Sequence, residues 1–410
     1  MHADSVSSPR APSIAAAVWL LGLTQNVGYG TLYYAMAILA ADMGASFGVS
    51  SAWIFGALSA ALLAGGLAAP VAGRRIDRHG AGTVMAIGSV LAAAAMAALA
   101  AAPNLAAFVA ALIAVEVVST VVQYDAAFAG LVQLAGSEAR RRITHLTLIA
   151  GFASTLFWPL TTWLHGFLDW RAVVALYAAM NLVLCAPAHL VLARMLARAG
   201  DGVSANARES GSPPPAAGLG LDPETARRVL LLVTFGFALG GFMLSGVLAQ
   251  LVPLLGAVGL GGSAVLVGTL FGPSQVLVRL VNMLFGAGRH PLTLTLFSVA
   301  MLTAAAVVLA ATAPNVAGAA LFAVMLGFGS GLTSIVRGTL PLALFGSASY
   351  GERLGRMAMV RLAFTSVAPF VLALLMEAWG STAALLAMAS TGLLAIAAFV
   401  AAGRLAMTRG

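Results

Sequence analysis

Twelve apolar stretches, each long enough to cross a lipid bilayer, decide what this chain of 410 residues can become. A membrane helix needs about 20 mostly apolar residues. The stretches fall at 14–40, 51–71, 81–102, 105–134, 143–164, 172–196, 229–252, 263–285, 291–311, 315–345, 355–377 and 382–403. Little polar sequence remains outside them: 61% of residues are hydrophobic and only 8% charged. Soluble domains carry about 25% charge, so this chain cannot clothe a water-facing surface. A soluble globular protein is excluded, and so is a disordered one. The first stretch exceeds the roughly 7–15-residue apolar core of a cleaved signal and reads as a retained span. One cysteine, Cys185, lies in an apolar run, so no intramolecular disulfide and no Cys/His metal pattern is available. No cofactor is implied.

The arginines set the orientation. All 21 basic residues are arginine, and with the N-terminus inside, 17 of the 21 fall on inside segments. Only Arg171 falls outside, while Arg279, Arg337 and Arg361 lie within spans. By the positive-inside rule this supports an even number of spans with both termini cytoplasmic. The net charge of +8 then reads as an arginine-rich membrane face and not as a nucleic-acid footprint. The stretch 197–228 breaks the apolar pattern with Gly, Ser, Pro213 to Pro215 and charges of both signs, and reads as a poorly ordered linker.

The halves on either side of that linker match at an offset of 211 residues. Ala102-Pro103-Asn104 falls on Ala313-Pro314-Asn315, Arg78-His79 on Arg289-His290, and Arg142 on Arg353. Ser154-Thr155 falls on Thr365-Ser366. These matches also agree in sidedness, which points to duplication. The expectation is an all-α membrane protein of twelve transmembrane helices in two pseudo-symmetric six-helix bundles. The bundles are expected at 14–196 and 229–403, with the linker at 197–228 and cytoplasmic tails at 1–13 and 404–410.

After the second span comes Gly73-Arg74-Arg75-Ile76-Asp77-Arg78-His79-Gly80. It resembles the signature loop of the major facilitator superfamily, G-x-x-x-D-R-x-G-R-[RK], in Gly73, Asp77, Arg78 and Gly80. Ala81 and Gly82 stand where the terminal basic pair is usual. Glycine permits a tight turn and close helix approach, and Asp77 can cap a helix start or pair with arginines. The resemblance implies that this loop latches the two halves in one conformational state. It also implies that spans three, six, nine and twelve face lipid while the others line a cavity. Thr31 to Tyr34, Ser154 to Leu160 and Asp169-Trp170-Arg171 look like bacterial members near the monocarboxylate and oxalate/formate branch. There, the resemblance implies, an arginine within span eight holds a substrate carboxylate; Arg279 stands in that region. Gln275 occupies the place, four residues earlier, where some members carry an Asp.

Ionisable side chains within spans are costly unless paired or hydrated, so each is a functional candidate. Glu116 lies near the midplane of span four and Asp125 about nine residues further, which at about 100° per residue turns the two carboxylates to opposite sides, so they do not form an acid/base pair. Both are proton-coupling candidates, with Thr120 and Gln123 sharing the Glu116 face. Arg279 and Gln275 share a face and are candidate substrate ligands with Asn26, Tyr29, Tyr33 and Trp158. A guanidinium fork matches a carboxylate. The other reading of Arg279 is a structural partner for Asp125; for Asn26 it is helix glue, and for Trp158 core packing beside a kink at Pro159. Arg337, on one face with Ser330, Thr333 and Ser334, and Arg361 lie nearer the inner end and are gating candidates. His145 and His189 are lesser proton candidates.

The expected function is secondary transport of a small organic anion, a monocarboxylate, by alternating access. Protons are the expected coupling ion, the bilayer the expected surrounding, and a monomer in the bacterial cytoplasmic membrane the expected form. The alternative is proton-driven efflux of amphipathic drugs on the same fold. No phosphate-binding GxxxxGK[ST] loop, HExxH pair or nucleophile–base pair is present, so primary energy input and intramembrane catalysis are not expected.

Overall fold

The computed structural model describes residues 14–206, 218–286 and 288–407. The tail at 1–13, the last tail residues and the linker prolines Pro213 to Pro215 lie outside the described residues. Among those described, nine helical runs are long and apolar enough to cross a membrane. Two of them, Leu105–His165 with 61 residues and Tyr350–Met407 with 58, are too long for one crossing. At about 1.5 Å per residue either would exceed a 30 Å hydrocarbon layer at least twofold. The second turns back at Gly380, whose φ of 79° only glycine adopts without strain. The apolar run at 14–47 is a further span, carried through a π turn at Gly30–Tyr34. Counting each long run as two gives the twelve spans of an all-helical protein.

Helix starts follow local capping chemistry. The side chains of Ser50, Asn104, Asp169, Asp222 and Asn315 each accept a backbone N–H in the first turn. The Asp222 cap, followed by Pro223 at the first helical position, starts span seven inside the expected linker. Span six likewise continues helical to Asn206. The expected linker at 197–228 is therefore shorter than its composition suggested.

Span four departs from the expected continuous helix. It runs as Leu105–Ser119 and Tyr124–Ala135, with a turn at 120–123 between. The run Val117-Val118-Ser119-Thr120-Val121-Val122 is rich in β-branched residues that favour helix weakly. The Thr120 hydroxyl donates back to the Val117 carbonyl at 2.7 Å, and Gln25 of span one donates to the freed Val122 carbonyl at 2.8 Å. The uniform helical rotation that set Glu116 opposite Asp125, and Thr120 and Gln123 beside Glu116, does not carry across this break. Span five is also broken, at Gly151-Phe152, about two turns before Pro159.

The cores reveal how the halves meet. Far from the arginine-rich end, Leu39, Met96, Phe108 and Tyr177 form a core wholly within spans one to six. Met243, Leu309, Phe322 and Leu385 form another wholly within spans seven to twelve. At the arginine-rich end the division is lost: Leu342, Tyr350 and Leu354 join the core of Leu21, Ile76, Phe128 and Leu146. Span two (Ser51–His79) and the start of span eleven touch there through backbone. A Cβ on Gly73 would overlap the Gly351 carbonyl, and one on Gly355 the carbonyl of Ala69. Small residues at such crossings let backbones approach. The halves are thus fused at the arginine-rich end and separate at the other. Gly73→Val is expected to destabilise the protein by about 1–3 kcal/mol, the usual range for overpacking, read as a fall in the thermal unfolding midpoint in detergent.

Candidate functional site

The fused end is held by one carboxylate acting on a helix terminus. Both oxygens of Asp77, at the end of span two, accept backbone N–H groups at the start of span eleven: Gly351 at 2.9 Å and Glu352 at 2.8 Å. An acid at a helix N-terminus satisfies orphan donors and meets the positive end of the dipole. Arg74 adds a pair with Glu352 at 3.7 Å, while Arg78 stays exposed. Gly80 takes a φ of 81° and turns the chain into span three.

A second tie lies deeper, between spans four, ten (Val316–Phe345) and eleven. Asp125 stands 3.4 Å from Arg337 Nε and 3.7 Å from Arg361 Nη2. All three are largely buried, with side-chain exposures of 24%, 17% and 18%. The Arg337 guanidinium also lies 5.6 Å from the Tyr124 ring centroid and beside the Tyr29 hydroxyl. A void of about 10 Å³ is bounded by Asp125, Arg337, Arg361 and the apolar Phe237, Leu354 and Met357, room for about one water molecule. The alternative reading of Arg279 as the partner of Asp125 is therefore corrected. The break in span four carries Asp125 toward spans ten and eleven, whereas Arg279 faces span five.

Arg279, on the helix Phe271–Phe285 of span eight, is 4% exposed. Its Nε donates to the Gly331 carbonyl of span ten at 3.3 Å. Its Nη1 lies against Gly151 of span five, where any Cβ would overlap it, and has no hydrogen-bond partner. One turn away, Gln275 Nε2 donates to Ser330 Oγ at 2.7 Å. Asn26 Nδ2 donates within the first half, to the Gly22 and Ile149 carbonyls at 3.0 Å each, while its Oδ1 has no hydrogen-bond partner. Glu116 is 5% exposed, and its Oε1 has no hydrogen-bond partner. His189 is held by Ser89 at 2.7 Å and Thr24 at 2.9 Å, on the first half alone.

Aromatic rings link these groups. Tyr29 packs against Tyr124 at 4.7 Å between centroids, Tyr33 edge-on to Tyr34 at 5.4 Å, and Tyr34 edge-on to Trp158 at 6.0 Å. Tyr33 stands within electrostatic reach of both Glu116 and Arg361, and Tyr124 of both Arg279 and Arg337. Sequence reasoning overlooked Tyr34, Tyr124 and Gly151. The Tyr33-Tyr34 doublet and the adjacency of Tyr124 to Asp125 were available signals; nothing local marks Gly151 among 45 glycines.

Two six-span halves, a capped span-eleven start and buried arginines between the halves define a known architecture. The family model of the Major Facilitator Superfamily matches residues 18–361. The chain belongs to the major facilitator superfamily. It is a secondary transporter and not an enzyme. Among solved structures, the human organic anion transporter MFSD10 (TETRAN) superposes with a TM-score of 0.74 at 16% identity, over 95% of this chain and 100% of that one. The proton:xylose symporter XylE gives 0.65 at 14%, over 94% of each chain. FucP in its outward conformation gives 0.61 at 13%, over 96% and 98%. Comparison with curated proteins by sequence gives no match.

In this transporter, removing Asp125 leaves two guanidinium groups facing each other without a counter-charge. Asp125→Asn should lower the unfolding midpoint, and Arg337→Gln should recover part of the loss in the double variant. A double-mutant cycle on thermal unfolding should return a coupling of about 0.5–3 kcal/mol; additive effects would show that the pair is idle.

Proposed function

We propose that this transporter carries a small organic anion, a monocarboxylate, by alternating access in a bacterial cytoplasmic membrane with both termini inside. Arg279 carries the reading. It is a buried guanidinium between the halves with one nitrogen already bound and another free. A planar fork with unspent donors suits a carboxylate. Charge balance points the same way. Three arginines, Arg279, Arg337 and Arg361, lie between the halves, and Asp125 counters two of them. An arriving anion offsets the remainder, whereas a cation meets repulsion. The shared fold does not choose the substrate, since the similar structures include an organic anion transporter, a proton:xylose symporter and a fucose:proton symporter.

Gln275 and the tyrosines lie beside Arg279, and Asp77, Gly73, Gly80 and Asp125 hold the arginine-rich end closed. Glu116 is the coupling acid in this reading: it is buried, lacks an arginine partner, and meets the second half through Tyr33. The same lone acid suits cationic drug efflux, which the three arginines disfavour.

In proteoliposomes, Arg279→Gln and Arg279→Lys should each weaken uptake of labelled lactate roughly ten- to a hundredfold, the worth of a charge-assisted hydrogen bond. Unchanged uptake in both removes Arg279 as the anchor. Glu116→Gln should abolish uptake driven by an imposed pH gradient while preserving lactate–lactate exchange. Loss of both, or of neither, contradicts the coupling role.

A further inference from the structure

The sequence called for a carboxylate anchor; the structure adds what surrounds it. Trp158 lies seven residues beyond Gly151, across the break in span five, and is placed by its edge-on contact with Tyr34 of span one at 6.0 Å, a ring that stands within electrostatic reach of Arg279. That places it about 10 Å along the axis, on the side away from the fused end, where the two halves keep separate cores. Trp163, five residues further, points about 140° away and pairs instead with Phe167 at 4.9 Å. Trp158 is therefore the cleft-side tryptophan of this span.

Its surroundings are aromatic and open. Tyr34 meets Trp158 edge-on at an interplanar angle of 88°, and Tyr33 meets Tyr34 at 73°. Tyr34 lies within electrostatic reach of Arg279, so the rings and the guanidinium form one site. Trp158 is 51% exposed and Tyr33 43%. Tyr33 nevertheless stands near Glu116 of one half and Arg361 of the other, so its open face looks into the cleft. Rings serving only as core would be covered, as Tyr177 is at 0%. A wall of rings with uncovered faces beside a half-used guanidinium is complementary to a flat apolar body that bears one carboxylate. Rings gain from edge-on or offset contact with further rings beyond simple burial. A small hydrophilic acid leaves these faces in water.

We propose that the transported anion is an aromatic monocarboxylate, its carboxylate on Arg279 and its ring against Trp158, Tyr34 and Tyr33. The inference rests on the anion reading above and narrows its substrate class.

The test is binding to the purified full-length transporter by isothermal titration calorimetry. Benzoate and 3-phenylpropionate are compared with acetate, lactate and the uncharged benzamide. Benzoate and 3-phenylpropionate should bind at least about tenfold tighter than acetate and lactate. Trp158→Leu should collapse that preference by weakening the aromatic acids most, and Trp158→Phe should keep it. Arg279→Gln should weaken every carboxylate. Lactate binding as tightly as benzoate, with both dependent on Arg279, overturns the aromatic inference and leaves the anion reading standing. Benzamide matching benzoate, or benzoate binding that survives Arg279→Gln, removes the anchor and overturns both. A preference for aromatic acids that persists in Trp158→Leu overturns the assignment of the ring wall.

Discussion

A charge in a membrane interior must be paired or hydrated, and in this protein that constraint decides how two halves meet. Asp125 belongs to the first half, and Arg337 and Arg361 to the second. A carboxylate without them, or two guanidinium groups without it, would sit in a low-dielectric region with no compensating partner. The halves therefore gain from staying together at this depth. The same logic operates at the surface, where Asp77 neutralises the exposed donors of a helix that starts in the other half. Both contacts join elements from opposite halves, and both lie toward the arginine-rich end.

This one-sidedness gives the fold its functional shape. The shared core of Phe128, Leu342, Tyr350 and Leu354 seals one end. The far end has two cores that do not mix. Between the seal and the open end lie Arg279, Glu116 and the tyrosines. Alternating access needs this arrangement to be reversible. Contacts built from hydrogen bonds, ion pairs and glycine crossings, with only Leu342, Tyr350 and Leu354 of the second half entering the shared core, are separable in a way that a large interlocked apolar core is not.

Much of this was legible in the sequence, for identifiable reasons. Span number, sidedness and the half-to-half repeat follow from hydropathy and arginine placement, which act over whole segments and tolerate local irregularity. The Gly73 to Gly80 loop was legible because its chemistry is local. Pairing was not. Reading Asp125 against Glu116 assumed one continuous helix, and the β-branched run before Gln123 breaks it. That break redirects Asp125 to Arg337 and Arg361, away from Arg279. The role of Gly151 was invisible because it depends on a side chain 128 positions away, Arg279. Asn26 looked free on a helical face, yet its amide nitrogen is taken by carbonyls of spans one and five, leaving only its oxygen unpartnered.

The central claim is that the buried carboxylate of Asp125 holds the arginine-rich ends of the two halves together. Spin labels at Arg141→Cys and Arg227→Cys, in a background where Cys185 is replaced by serine, report that separation by pulsed electron–electron resonance. Asp125→Asn should add a population at longer distance to the distribution of the parent. A distribution unchanged by the substitution would contradict the claim and leave Asp77 and the shared core as the elements that close this end.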